Sequence, residues 1–174
     1  SGATAVGARA FMLAYNINLN TRDLKAAQDI AMILRSSGRA KRDAKGQIVK
    51  DKNGVTVKVP GKLKFCQAGG WYIEEYGYAQ ITMNLHRFDV TGLHTAFDTV
   101  VKEAEKKGLR VTGSELIGLA PLQAMLDAGE HYLRKQGAST ACPEKEIIHC
   151  AVRSLGLADT SPFDPQKRIV EYAL

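Results

Sequence analysis

The sequence predicts an α+β fold: four strands and two helices in the order strand-helix-strand-strand-helix-strand. Three observations carry that prediction. Residues 10–19 alternate between apolar and polar side chains, a period of two. Apolar residues at helical spacing follow the first and the third run of this kind. The second and third runs are separated only by a short turn around residues 75–77, which calls for antiparallel neighbours. Chained in this order, the elements make a ferredoxin-like βαββαβ plait. Both helices then cover one sheet face, and the first and third strands lie side by side in the middle.

The first strand puts Phe11, Leu13, Tyr15, Ile17 and Leu19 on one face and Ala10, Met12, Ala14, Asn16 and Asn18 on the other. "NTRDLKAAQDIAMILRSSG" then switches to helical spacing through Leu24, Ala27, Ala31 and Leu34. Asn20 or Thr21 is the expected N-cap, and Gly38 the stop. "QIVKDKNGVTVKVPG" reads as a β-hairpin turning at Asn53-Gly54. Removing 45–61 leaves the larger pattern intact, so this is an inserted surface hairpin.

"LKFCQAGGWYIEEYGYAQITMNLH" supplies the second and third strands. In the third, Ala79, Ile81, Met83 and Leu85 alternate with Tyr78, Gln80, Thr82 and Asn84. A helix over 90–107 is anchored by Leu93, Phe97, Val100 and Ala104 and ends at Gly108, and "LRVTGSELIGLAP" gives the fourth strand. Residues 121–174 read as additional C-terminal helices. Pro121 suits the first turn of one, with Leu122, Met125, Leu126, Tyr132 and Leu133 inward. A second covers 144–155, and a last one starts with Asp164 as N-cap and Pro165 at its first position.

The 174 residues are 45% hydrophobic and 24% charged, as in an ordinary globular domain. No stretch approaches the ~20 apolar residues of a membrane span, and the opening residues lack the basic and apolar regions of a signal peptide. Cys66, Cys142 and Cys150 form no CxxC and suit free thiols in the cytoplasm. "CPEKEIIHC" fits no zinc spacing. Of the net +6, residues 35–64 hold ten basic side chains against Asp43 and Asp51, so the rest of the chain sums to −2. Basic character confined to one segment, without aromatics at stacking positions of the middle strands, argues against a nucleic-acid partner.

Strand parity assigns Phe11, Leu13, Ile17, Ile81, Met83 and Leu85 to the helix-covered side. It leaves Asn16, Asn18, Gln80, Thr82 and Asn84 together on the open side. Buried polar groups without partners cost roughly 1–3 kcal/mol each, so this face calls for a ligand or a second domain. His86, His94, His131 and His149 are scattered, and no GxSxG, HExxH, Walker or GxGxxG pattern occurs. No catalytic residue is assigned.

"GATAVGARAFMLAYNINL", "AQITMNL", "LHTAF", "GSELIGLAPLQAML" and "SPFDPQKRIVEYAL", in this order and over nearly the whole chain, resemble the glutamate formimidoyltransferase family. The basic hairpin is longer than the family pattern. The resemblance implies transfer of the formimino group of N-formimino-L-glutamate, from histidine breakdown, to N5 of tetrahydrofolate, a co-substrate, with no metal. It implies a transferase unit of two ferredoxin-like halves with folate between them. Residues 1–174 would be the C-terminal subdomain, and its partner the N-terminal one. The family's general-base histidine belongs to that other half, so none of the four here inherits the role. A folate-binding loop would end at the start of this chain, at Ser1 and Gly2.

Periodicity rather than resemblance adds Asn16, Asn18, Gln80, Thr82 and Asn84 as folate contacts. A pterin ring is a planar array of donors and acceptors that side-chain amides match. Arg9 is a candidate for a folate or glutamate carboxylate, and the 35–64 segment would draw a polyglutamate tail by its field. Two alternatives stand beside this reading: a stand-alone folate or small-ligand module without catalysis, and an assembly module, a homodimer whose amide face pairs with itself. No membrane partner is expected.

Overall fold

The structure, a computed structural model, describes residues 2–4 and 6–174. Its elements are β1 (Leu13–Leu19), α1 (Leu24–Leu34), β2 (Arg39–Ala40), β3 (Lys58–Val59), β4 (Cys66–Ile73), β5 (Tyr78–Leu85), α2 (Leu93–Glu105), β6 (Val111–Ile117), α3 (Leu122–Lys135), α4 (Glu144–Leu155), α5 (Pro165–Arg168) and α6 (Val170–Ala173). The main sheet runs β4-β5-β1-β6, antiparallel at each pairing. This is the plait the element order predicts, with β1 and β5 central.

The alternating residues build the core. Leu13, Tyr15, Ile17 and Leu19 of β1 and Ala79, Ile81, Met83 and Leu85 of β5 are at most 3% exposed. Each large side chain so buried contributes about 1.5–3 kcal/mol. Gly70 lets α1 lie directly on β4, because a Cβ there would stand 2.4 Å from the Gln28 backbone nitrogen. The Tyr15 hydroxyl donates to Ser114 Oγ at 3.0 Å, and that hydroxyl donates to the Leu155 carbonyl at 2.6 Å, which ties α4 to the sheet.

Three expectations need correction. Phe11 lies ahead of β1 and is 44% exposed rather than packed under the helices; pairing starts at Leu13, opposite Leu85. The cap of α1 is Asp23, whose carboxylate accepts from the Ala26 N–H. Asn20 instead accepts from the Arg110 N–H, and Thr21 from the Asp23 N–H. The helix ends at Leu34, short of Gly38. Gly38 has φ +64° and fits against Val59, where a side chain would collide with the backbone.

Residues 39–59 contain a short repeat that local chemistry explains. Asp43 Oδ1 accepts from the N–H groups of Lys45 and Gln47, and Asp51 Oδ1 does the same for Asn53 and Val55. Gly46 and Gly54 take positive φ at matching places in the two turns. Lys41, Val49 and Val57, eight residues apart, close a ring of three backbone hydrogen bonds. Both acids of the segment are thus engaged in turns, while Arg39, Lys41, Arg42, Lys45, Lys50, Lys52 and Lys58 are exposed.

Candidate functional site on the open sheet face

The strand register arranges the uncovered face as a grid. Gly113, Asn18, Gln80 and Trp71 form one row, and Glu115, Asn16, Thr82 and Gly69 the next. Ile117, Ala14, Asn84 and Gln67 form the third. The four strands contain no Lys or Arg, and Glu115 is their one carboxylate. In a chain of net +6, this surface is therefore built for hydrogen bonding rather than for charge.

From Gly113 to Gln80 the first row is closed by the chain itself, while Trp71 at its end stays exposed. Gly156 caps α4 in the left-handed conformation, and the Ser114 N–H donates to its carbonyl at 2.9 Å. That anchor brings Asp159 over Gly113, whose missing side chain makes the room: a Cβ there would stand 2.3 Å from Asp159 Cβ. Asn18 donates to the Asp159 carboxylate at 2.9 Å, and Gln80 donates to Asn18 Oδ1 at 2.8 Å. Both amides are buried, at 0% and 2% exposure. Burial and the nearby Asp159 push the Tyr78 hydroxyl up to about 12. Asn18 and Gln80 thus have their partners within the chain, and only part of the predicted amide set faces outward.

The other two rows stay open. Asn16, Thr82 and Asn84 are half-buried, and Thr82 reaches only the Gly69 carbonyl, at 3.5 Å. Among the described residues, the Asn16 and Asn84 side chains make no hydrogen bond. These side chains, with Gln67, Gly69 and Trp71, line a depression of about 210 Å³. Trp71 is 62% exposed. Sequence reasoning passed over it, although it shares strand parity with Gln67 and Gly69 and is the large apolar residue on a polar row.

Of the remaining predicted contacts, Ser1 lies outside the described residues. Gly2 is exposed, with open space around it. Arg9 is exposed, its guanidinium 3.5 Å from Met12 Sδ. Neither Gly2 nor Arg9 lines the depression. None of the four histidines lines the depression. His94 and His131 stack between α2 and α3 with ring centres 4.4 Å apart, and His131 Nε2 lies 3.3 Å from Asp98. Burial, then the neighbouring His131, lower the His94 pKa. His149 is exposed on α4. Burial raises the Cys66 thiol to about 12, which keeps it protonated and inert. Among the described residues, no three His, Cys, Asp or Glu side chains are grouped to hold a metal ion, and no helix is long and apolar enough to cross a membrane.

Fold and surface together define a class: a ferredoxin-like α+β unit that offers one amide-lined sheet face, whose strands carry Glu115 as their single charge, to whatever lies opposite. The description of the formiminotransferase domain matches residues 14–174, and the chain belongs to that family. It is 44% identical over 172 residues to the formimidoyltransferase-cyclodeaminase of Sus scrofa, covering 98% of this chain and 28% of the relative. It is 37% identical over 134 residues to the glutamate formimidoyltransferase of Streptococcus pyogenes serotype M1, covering 77% of this chain and 38% of the relative. The corresponding protein of Thermoplasma acidophilum is 31% identical over 137 residues, covering 79% and 38%. The chain thus spans well under half the length of the curated relatives it matches.

Proposed function

We propose that this chain forms one wall of a formimino-transfer site. It would serve the transfer of the formimino group from N-formimino-L-glutamate to N5 of tetrahydrofolate in histidine degradation. Residues 1–174 act as the C-terminal subdomain of the transferase unit, with 45–61 inserted and 121–174 appended, and an N-terminal subdomain faces the open sheet. The single observation that carries this reading is the pair Asn16 and Asn84. Two half-buried amides without partners among the described residues border a depression lined by no charged side chain, as a planar heterocycle rich in donors and acceptors requires. Three free thiols fit a cytoplasmic setting.

In the reaction, tetrahydrofolate N5 attacks the formimino carbon and forms a tetrahedral intermediate. The bond from that carbon to the glutamate nitrogen then breaks. The nitrogen leaves as an amine, taking up a proton, while N5 loses one. Holding two substrates at attack distance removes much of the barrier, and a positioned base handles the protons. The residues of this chain supply the first of these. Asn16, Thr82 and Asn84 orient the heterocycle, and the covered sheet excludes water from one side. The base comes from the facing half.

The test is transfer by folded chain alone and by chain mixed with an N-terminal formiminotransferase subdomain. The expected result is no activity alone and restored activity in the mixture. Robust transfer by the chain alone overturns the shared-site reading. A mixture that stays inactive, with a chain that dimerises regardless of folate, favours the assembly module instead.

A further inference from the structure

Trp71 stands between two depressions of different chemistry. On one side is the amide-lined hollow of Asn16, Thr82 and Asn84. On the other, a depression of about 290 Å³ runs over the edge strand β4 to α1, where Gln28, Met32 and Arg35 line it at helical spacing. Ala68 and Gly69 line both hollows beside the indole, and Gly70 lines only the second. A Cβ at Gly69 would touch Trp71 Nε1 at 3.4 Å, and one at Gly70 would collide with α1. The indole thus lies along the sheet surface, next to Gly69, with none of the described residues covering most of it: it is 62% exposed.

Arg35 is poised in the same way. Its Nε donates to the Gly38 carbonyl at 2.9 Å, which fixes the direction of the guanidinium. No carboxylate of the described residues pairs with it. A fixed guanidinium without an acid partner suits bidentate capture of a carboxylate. An exposed indole suits stacking on a flat ring.

We infer that Trp71 and Arg35 set the direction in which a folate lies on this face. The heterocycle occupies the amide hollow, and an aromatic ring of the ligand stacks on Trp71. The glutamate carboxylates pass over the β4 edge to Arg35 and the exposed lysines and arginines of 39–58. The inference rests on the folate reading proposed above and adds to it a stacking residue, a carboxylate partner and an orientation. It also accounts for a chain whose basic charge gathers beside a hollow lined by no charged side chain: the two belong to opposite ends of one ligand.

The experiment is calorimetric binding to the assembled transferase unit of two ligands, 5-formyltetrahydrofolate and the matching pteroate that lacks the glutamate. Trp71→Ala is expected to weaken both about tenfold, and Trp71→Phe to restore most of the loss. Arg35→Gln is expected to weaken the folate about tenfold and leave the pteroate unchanged. Two results would overturn the orientation: equal effects of Arg35→Gln on both ligands, or folate affinity untouched by Trp71→Ala. The second would mean that the indole packs against protein. Wild type that binds neither ligand would instead remove the folate reading itself.

Discussion

The two ends of the open face carry the same kind of residue and meet different fates. At one end Asn18 and Gln80 are sealed under Asp159. At the other, Asn16 and Asn84 lie half-open beside Trp71. Strand parity makes the two ends equivalent, and what separates them is a segment from far along the chain that covers one row and stops. The lesson is that an amide on a central strand announces only that it needs a partner. Whether the partner is internal is decided by tertiary structure, and that decision sorts structural amides from candidate binding ones.

The sharpest way to break the comparison is to force the closed end open. Gly113→Val places a branched side chain where Asp159 now sits. We expect a loss of about 3 kcal/mol in urea unfolding, at the upper end of overpacking costs. Little change would mean that the covering segment yields easily and that the closed end is not a fixed part of the fold. Asn18→Leu tests the network beneath. It strands the Gln80 donor in a buried site and removes the donor to Asp159, at an expected cost of about 2 kcal/mol. A neutral result would place water rather than protein at these amides.

How much of this could be read beforehand follows from the range of the interactions. The faces of β1 and β5 were legible because alternation is local and burial follows it. The helix 144–155 and its successor's Asp164-Pro165 start were legible because propensity and capping are local too. Phe11 misled because the alternating pattern runs on past the last paired residue, and pairing is not a local property. The Asp159–Asn18 bond spans 141 positions, so no window of sequence contains it. Trp71 had a signal, its parity with Gln67 and Gly69, but two adjacent glycines hid the strand's alternation. Gly70 is there because α1 must touch β4, while a side chain at Gly69 would meet Trp71 and Thr82; both are facts of packing.

The helix side supplies a polar pair that sharpens the rule by exception. His94 Nδ1 is a buried atom without a hydrogen-bond partner among the described residues, and its ring stacks on that of His131, with Asp98 and Asp127 nearby. Burial and His131 lower the His94 pKa below its ordinary 6.5. Beneath that value the unfolded chain takes up a proton that the folded chain resists, so stability falls as pH drops through the window just under 6.5. Asp98 acts elsewhere. Burial opposes its charge, but hydrogen bonds from Lys135, His131 and Tyr132 outweigh that and hold it below 3.8, so its contribution is lost only in stronger acid. His94→Gln should flatten the decline in urea midpoint between pH 7.5 and 5.5. An undiminished decline in the variant would assign it to another group.

The smallest expected effect on stability is the most telling about function. Asn84→Leu changes an amide that bonds to nothing within the described chain and borders the open depression. Its stability should stay within about 0.5 kcal/mol of wild type, as for surface substitutions that break no contact. If the open end receives the heterocycle, the same change leaves ring donors and acceptors facing a methyl group, and folate affinity in the assembled unit should fall about tenfold. Large instability would show that Asn84 is structural after all, like Asn18. Unchanged stability with unchanged affinity would remove Asn84 from the site and leave Asn16 and Thr82 to orient the ring. Affinity lost at unchanged stability is the outcome that separates the two ends, because Asn18→Leu should lower stability by about 2 kcal/mol whatever it does to a ligand.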